Sequence, residues 1–226
     1  MKCKICNNTS EMIDKGKILN KYNINYYQCT SCGFVQTEEP YWLDESYSQA
    51  ISLSDTGIMA RNLIFSNLAT IIISMLLDKN GEFLDYGGGY GILTRLMRDN
   101  GYNFYASDEY SDMHLIKPFI KDNSKYIVKT AFEVVEHLNS FPEFLEKEIR
   151  EVDLFLFSTE LREVGFIPDN NWWYYGFENG QHIGFHSKKS LEKAFELTGY
   201  ETKTLISFGT SIHAIAQTKE WRFAMR

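Results

Sequence analysis

Residues 82–94 read Glu-Phe-Leu-Asp-Tyr-Gly-Gly-Gly-Tyr-Gly-Ile-Leu-Thr, a short apolar strand that ends in an acid and runs into a glycine loop ahead of a helix. This arrangement builds a pocket for a nucleotide-type cofactor. Gly87, Gly89 and Gly91 can take positive φ and let a ligand approach with no Cβ in the way, and the residues from Ile92 onward offer a helix N-terminus. A dinucleotide site would place its third glycine three residues after the second, where this chain has Ile92. The loop is therefore G-x-G-x-G preceded by Asp85, and an acid two positions before the first glycine suits a ligand with a free amino group better than a pyrophosphate.

The cysteines carry a second kind of chemistry. Cys3, Cys6, Cys29 and Cys32 form two C-x-x-C pairs, and the chain has no other cysteine. Four thiolates can surround Zn²⁺ tetrahedrally, each C-x-x-C turn presenting two sulfurs from one knuckle. Two disulfides compete as an explanation, although nothing else in the sequence suggests an oxidising compartment. A closed four-sulfur site has no open position for water, which makes this zinc structural. Gly33 fits the turn after Cys32, and residues 18–27 are rich enough in β-branched and aromatic side chains for a short hairpin.

Other candidates follow the loop. Asp108 stands where a second strand should end and could accept hydrogen bonds from both ribose hydroxyls, with Glu109 as the alternative. Ala131-Phe-Glu-Val-Val-Glu-His-Leu138 adds Glu133, Glu136 and His137 as polar candidates after the next strand, for catalysis or for a helix-capping or structural role. Glu160 ends a later apolar run. Downstream lies the most unusual composition, Asn171-Trp172-Trp173-Tyr174-Tyr175-Gly176-Phe177, then Gln181-His182-Ile-Gly-Phe-His186-Ser187. Aromatic faces stack on sugar rings or bases, so Trp172, Trp173, Tyr174, Tyr175 and Gln181 are read as a substrate wall, although the same rings could pack a lid or a small second core. A histidine suits proton removal near neutral pH, and His182 leads, with His137 and Glu160 in support.

These groups need a scaffold that holds strand ends together. The pattern predicts an α/β fold with a doubly wound, mostly parallel seven-stranded sheet, divided into a zinc-binding ribbon (1–40), a linker and leading helix (41–80) and a cofactor-binding domain (81–226). Helices are expected over 58–78 and 92–99, the latter stopped by Gly101. Ser140, Pro142 and Glu143 open another as a capping box, and Ser187 opens one that Gly199 ends. Strands are expected near 82–86, 103–107, 126–132, 153–158, 202–207 and 211–217. The third strand of the series is hard to find in 113–124. Residues 63–77 are the most apolar stretch, too short for a relaxed membrane span of about 20 residues and interrupted by Ser66, Asn67, Thr70 and Ser74, so a buried helix is expected.

The loop in the form D-x-G-x-G-x-G resembles the first motif of class I S-adenosylmethionine-dependent methyltransferases, and the segment from Phe132 to Leu138 resembles the F-E-V-L-E-H-L stretch of many small-molecule members, which implies Glu133 on the cofactor side and Glu136 and His137 close to where sulfur and acceptor meet. The order of C-x-x-C pairs, glycine motif and E-H-L is similar to bacterial methyltransferases that modify sugars, including deoxysugar enzymes with an N-terminal zinc module. That resemblance implies S-adenosylmethionine as cofactor and a sugar-containing acceptor. It places His182 at the catalytic histidine of an E-H-x-x-Y-x-S segment. Gln181 replaces the glutamate there, and the large C-terminal domain of the deoxysugar enzymes is not expected.

With 226 residues and a formal charge of −7, the chain can bury one main core and offers no broad basic face for nucleic acid. A cytoplasmic enzyme acting on a small molecule is expected, with no membrane partner and no leader at the start. Two other functions fit the same motifs, a zinc-ribbon rRNA base methyltransferase and a noncatalytic binding protein retaining the fold. The sequence leaves the acceptor atom and the oligomeric state open.

Overall fold

A computed structural model describes residues 1–48, 51, 55–77, 80–121, 125–163 and 172–217. Two sheets organise them. In the first, β1 (Ser10–Ile18), β2 (Tyr22–Cys29), β3 (Val35–Thr37) and β8 (Gly184–Phe185) lie antiparallel in the order β1-β2-β3-β8. The hairpin of β1 and β2 is longer than expected, with Ser10 opposite Cys29. Glu11, Asp14, Lys15 and Lys17 put polar side chains along β1, so the strand lacks the apolar run that would have marked it.

The second sheet has the order β5-β4-β6-β7-β10-β9, from β4 (Glu82–Tyr86), β5 (Asn103–Ser107), β6 (Val128–Ala131), β7 (Leu154–Ser158), β9 (Lys203–Phe208) and β10 (Ile212–Gln217). β4 to β7 are parallel, and β10 runs antiparallel to both β7 and β9. Among the described residues the seventh strand is reduced to a lone parallel bridge between Ala106 and Ile120 at the β5 edge, in the region where a strand was hard to find. Every residue of β7, Leu-Phe-Leu-Phe-Ser, is buried, as a parallel strand covered on both faces requires. Phe83 and Phe104 stack between β4 and β5 at 5.3 Å, each fully buried ring worth about 1.5–3 kcal/mol.

The helices are α1 (Leu43–Ser46), α2 (Ile58–Leu76), α3 (Ile92–Asp99), α4 (Phe141–Glu148) and α5 (Lys188–Glu196). Their caps follow the sequence: Gly91 at φ +82° opens α3, Ser140 caps α4, and Ser187 closes a capping box with Ser190 on α5. α2 corrects one expectation. By length and composition it could cross a membrane, but it buries a single stripe, Phe65, Ser66, Ala69, Ile73 and Leu76, while Ile64, Ile71 and Met75 stay 55–59% exposed. Uniform apolarity concealed which face would pack.

The two sheets meet in one core cluster that joins Cys29 of β2 to Ala131, Phe155, Phe157 and Ile215 of the second sheet. Tyr26, Trp42, Tyr174, Tyr175 and Phe185 pack in another core cluster, and Trp42 donates from Nε1 to the Gly180 carbonyl at 2.8 Å. α1 and Trp42 fall in the span read as a linker, of which residues 49–50 and 52–54 lie outside the described residues.

Candidate active site

The glycine loop leaves β4 and turns over the end of β5. Gly87 and Gly88 donate their amides to the Ser107 carbonyl at 2.8 and 3.2 Å, and Gly89 donates to Asp108 Oδ2 at 2.8 Å. Gly87, Gly89 and Gly91 all have positive φ, for different reasons. A Cβ on Gly87 would meet Val134 at 2.6 Å, and one on Gly91 would meet Ile116 at 2.3 Å, so these two serve packing. At Gly89 the nearest side chain is Ile51 at 3.1 Å. Gly88, which the motif treats as variable, also has to be small, because a Cβ there would lie 3.0 Å from Asp85 Oδ2.

Asp85 is 3% exposed, and its carboxylate accepts from Thr130 Oγ1 at 2.8 Å and Thr94 Oγ1 at 3.5 Å, contacts through which it braces the loop from beneath. Burial raises its pKa to about 7 against those two hydrogen bonds.

Asp108 is tied at both oxygens, Oδ2 to the Gly89 amide and Oδ1 to the Tyr110 amide at 2.8 Å. A carboxylate has about four acceptor sites, which leaves capacity for ribose hydroxyls. Glu109 is exposed beside it. Tyr110 stacks on Tyr47 at 4.1 Å with 13° between planes, and the Tyr47 hydroxyl lies 3.1 Å from His137 Nδ1. Neither tyrosine carries a motif that a sequence reading could have used.

Across the sheet, Glu133 takes a positive φ of 57°. Its amide donates to Ser158 Oγ, that hydroxyl donates to Glu133 Oε1, both at 2.7 Å, and Oε2 lies 3.7 Å from Arg61 Nε. The 3-10 turn Val135–His137 follows. The His137 ring meets the His182 ring at 4.9 Å and 89°. His137 Nδ1 lies 3.0 Å from the Gln181 carbonyl and His182 Nδ1 lies 2.6 Å from the Tyr174 carbonyl. Burial lowers both imidazole pKa values, to about 3 for His137, helped by His182, and to about 4 for His182. Both rings are thus neutral at neutral pH. Glu136, between the other two acids and the histidines in sequence, is fully buried, and burial followed by the charge of Glu133 pushes its pKa well up.

The aromatic wall is mostly core. Tyr174 and Tyr175 are 1% and 0% exposed, their rings spent on Tyr26, Trp172 and Phe185, so they offer no stacking face to a sugar. Trp172 is partly buried, Trp173 is 71% exposed, and Asn171 lies outside the described residues. Gln181 is buried and donates from Nε2 to the Ser46 carbonyl at 3.0 Å; it pins the backbone carbonyl that faces His137. Glu160 accepts from Ser211 Oγ at 2.5 Å, and its amide donates to the Tyr174 hydroxyl at 3.0 Å, which turns its carboxylate to Ser211.

The four cysteine sulfurs converge within 4.8 Å of one another, with Cys3 to Cys32 at 3.6 Å and Cys6 to Cys29 at 3.5 Å. All four are free thiols. Sulfurs around a tetrahedral zinc at about 2.3 Å stand about 3.8 Å apart, so the donor set fits that ion. Amides of Ile5, Ser31 and Cys32 point at Cys3 and Cys29 sulfurs, each at 3.4 Å, the second layer that a thiolate site needs.

The family described as "Methyltransferase domain" matches residues 59–205. No curated protein matches the sequence. Among solved structures the chain is similar to PigF with SAH, at 14% identity over 80% of this chain and 63% of that one, with a TM-score of 0.50. It is similar to the plantazolicin methyltransferase BpumL in complex with SAH, at 11% identity over 76% of this chain and 95% of that one, with a TM-score of 0.51. A chain from the complex between the Haloferax volcanii Trm112 methyltransferase activator and a methyltransferase is 12% identical, over 76% of this chain and 97% of that one, with a TM-score of 0.53. The chain thus spans under two thirds of the length of PigF.

Proposed function

The chain belongs to the methyltransferase-domain family and has the class I α/β fold, and from that premise we propose that it moves the methyl group of S-adenosylmethionine to a sugar or nucleotide sugar, with a structural zinc ion at Cys3, Cys6, Cys29 and Cys32. Gly89, Asp108, Glu109 and Glu133 would hold the cofactor, which supplies an electrophilic methyl carbon on a sulfonium. The four free thiols fit a reducing, cytoplasmic setting.

The observation that carries the acceptor reading is the meeting of two neutral imidazoles at 4.9 Å, one of which reaches the Asp108 turn through Tyr47 and Tyr110. A carbonyl at each Nδ1 favours the tautomer with its proton there, leaving Nε2 as the lone pair. His182 would take the proton of the acceptor or orient it, and His137 would fix the direction of approach. Trp173, exposed next to Tyr174, is the ring free to cover a sugar.

Calorimetric titration with S-adenosylmethionine and S-adenosylhomocysteine, then a mass-spectrometric screen of nucleotide sugars, tests the proposal. Both ligands should bind and a singly methylated sugar should appear. His182→Ala should lower turnover by about 10²–10⁴ with little change in S-adenosylhomocysteine affinity. Wild-type turnover in that variant would remove His182 from the proposal, and no binding of either ligand would remove the cofactor.

A further inference from the structure

We propose that Glu136, His137 and His182 form a cation site separate from the four cysteines, built for a divalent first-row ion of the zinc, cobalt or nickel kind. One ligand atom from each of the three residues lies within 4.8 Å of the others. Glu136 and His137 come from the 3-10 turn after β6, His182 from the segment leading into β8, and the two rings stand at 89°, so three donors converge from two directions.

Glu136 carries most of the argument. It is 0% exposed, and neither carboxylate oxygen has a hydrogen-bond partner of normal length and angle, although the Tyr174 hydroxyl stands close enough to act on it. The Tyr174 hydroxyl nearby is engaged with Thr159 and the Glu160 amide, at 3.1 and 3.0 Å. Arg61, the cation closest in effect, is bonded to Asp55 at 2.5 Å. A fully buried carboxylate left without a partner is costly, and each such group in a folded protein calls for an explanation. A bound cation supplies one.

The histidines are prepared in the way metal ligands are. Each presents Nδ1 to a backbone carbonyl, the contact that fixes ring orientation and tautomer in metal-binding histidines. Both histidines are intermediate in exposure where Glu136 is fully buried, which puts them on the solvent side of the carboxylate. Two nitrogens and one carboxylate select against magnesium and calcium, which want oxygen donors, and suit borderline ions. Donors around such an ion stand about 3–3.5 Å apart, closer than the 4.8 Å that bounds the three here, and rotation of the Glu136 carboxylate can narrow the gap. Three protein ligands leave a position open, and with the ion bound the His182 lone pair is spent on it, so His182 then orients the acceptor and does not take its proton. That this position receives an acceptor oxygen rests on the reading of the site as a methyl-acceptor pocket; the binding of the ion does not.

The full chain, with its cysteines loaded with zinc, is titrated with cobalt chloride and followed by calorimetry and visible absorption. One further cobalt per chain is expected, with d–d bands and no thiolate charge-transfer band. Glu136→Gln and His182→Gln should each weaken that binding at least tenfold while S-adenosylhomocysteine still binds. No cobalt uptake by the wild type overturns the site, as does uptake that displaces zinc from the thiolates, or an affinity that neither substitution changes. If Glu136→Gln fails to fold, the wild-type titration and His182→Gln decide. Failure of S-adenosylhomocysteine to bind the wild type counts against the methyltransferase proposal and not against the ion.

Discussion

The hydroxyl of Tyr47 lies 3.1 Å from Nδ1 of His137, while the Tyr47 ring stacks on Tyr110 at 4.1 Å. Residue 47 follows α1, far in sequence from both partners, yet it ties the turn after β5 to the histidine after β6. A change on the cofactor side can therefore be felt at the imidazole pair. Tyr47→Phe keeps the stack and removes the hydroxyl. Loss of about 0.5–1.5 kcal/mol should appear as a several-fold fall in turnover with S-adenosylhomocysteine affinity unchanged, whereas Tyr47→Ala should weaken both. Equal effects of the two variants on cofactor affinity would show that the hydroxyl and not the ring matters there.

Gly89→Val and Asp108→Ala should both weaken S-adenosylhomocysteine binding. A valine would sit at φ +56° with its Cβ 3.1 Å from Ile51, a strained position against a neighbour that would have to move. Alanine at 108 frees the Gly89 and Tyr110 amides together, and loss of a charged acceptor costs roughly 1.5–3 kcal/mol. Calorimetry on the two variants is the check; unchanged affinity in both would place the cofactor elsewhere.

Zinc removal should reach the acceptor side before the cofactor side. β3 pairs with β8 through Val35 to Phe185 and Gln36 to Gly184, so the strand that follows Cys32 holds the strand that follows His182. Purified protein should contain zinc at the four cysteines, and Cys29→Ser should lose that ion, because metal binding free energy is folding free energy for such a module. Turnover should then collapse while S-adenosylhomocysteine still binds. Zinc-free protein with two disulfides by mass spectrometry would refute the metal.

Acid should unfold the protein partly through His186. It is 1% exposed and wedged between Phe34 and Phe141, and burial, with His213 adding repulsion, lowers its pKa to about 3. The unfolded value is about 6.5. Between these values the unfolded chain binds the proton and the folded chain does not, so this group's stability is whole above about pH 6.5 and is lost as pH falls from there towards 3, by up to about 1.4 kcal/mol per unit. Denaturant unfolding at pH 7 and pH 5 should show a smaller acid loss in His186→Phe than in wild type. An identical loss in both proteins would exclude His186 as a source.

Local chemistry was legible without the fold. The glycine loop, the caps at Ser140 and Ser187, the stop at Gly101 and the two C-x-x-C knuckles involve residues a few positions apart, where backbone geometry and side-chain type act directly. Strand β7 was legible for a related reason, since a strand buried on both faces must be apolar almost throughout. Only the tertiary structure decided which side each side chain faced. Asp85 turned inward because Thr94 and Thr130 meet it there. Tyr174 and Tyr175 became core because the hairpin of β1 and β2 brought Tyr26 against them. Glu136 was buried beside two imidazoles, within reach of the Glu133 charge and the Tyr174 hydroxyl. Those outcomes depend on contacts between segments far apart in the chain, and which distant segments meet is set by how all the apolar surfaces pack at once, a condition that no local stretch of sequence contains.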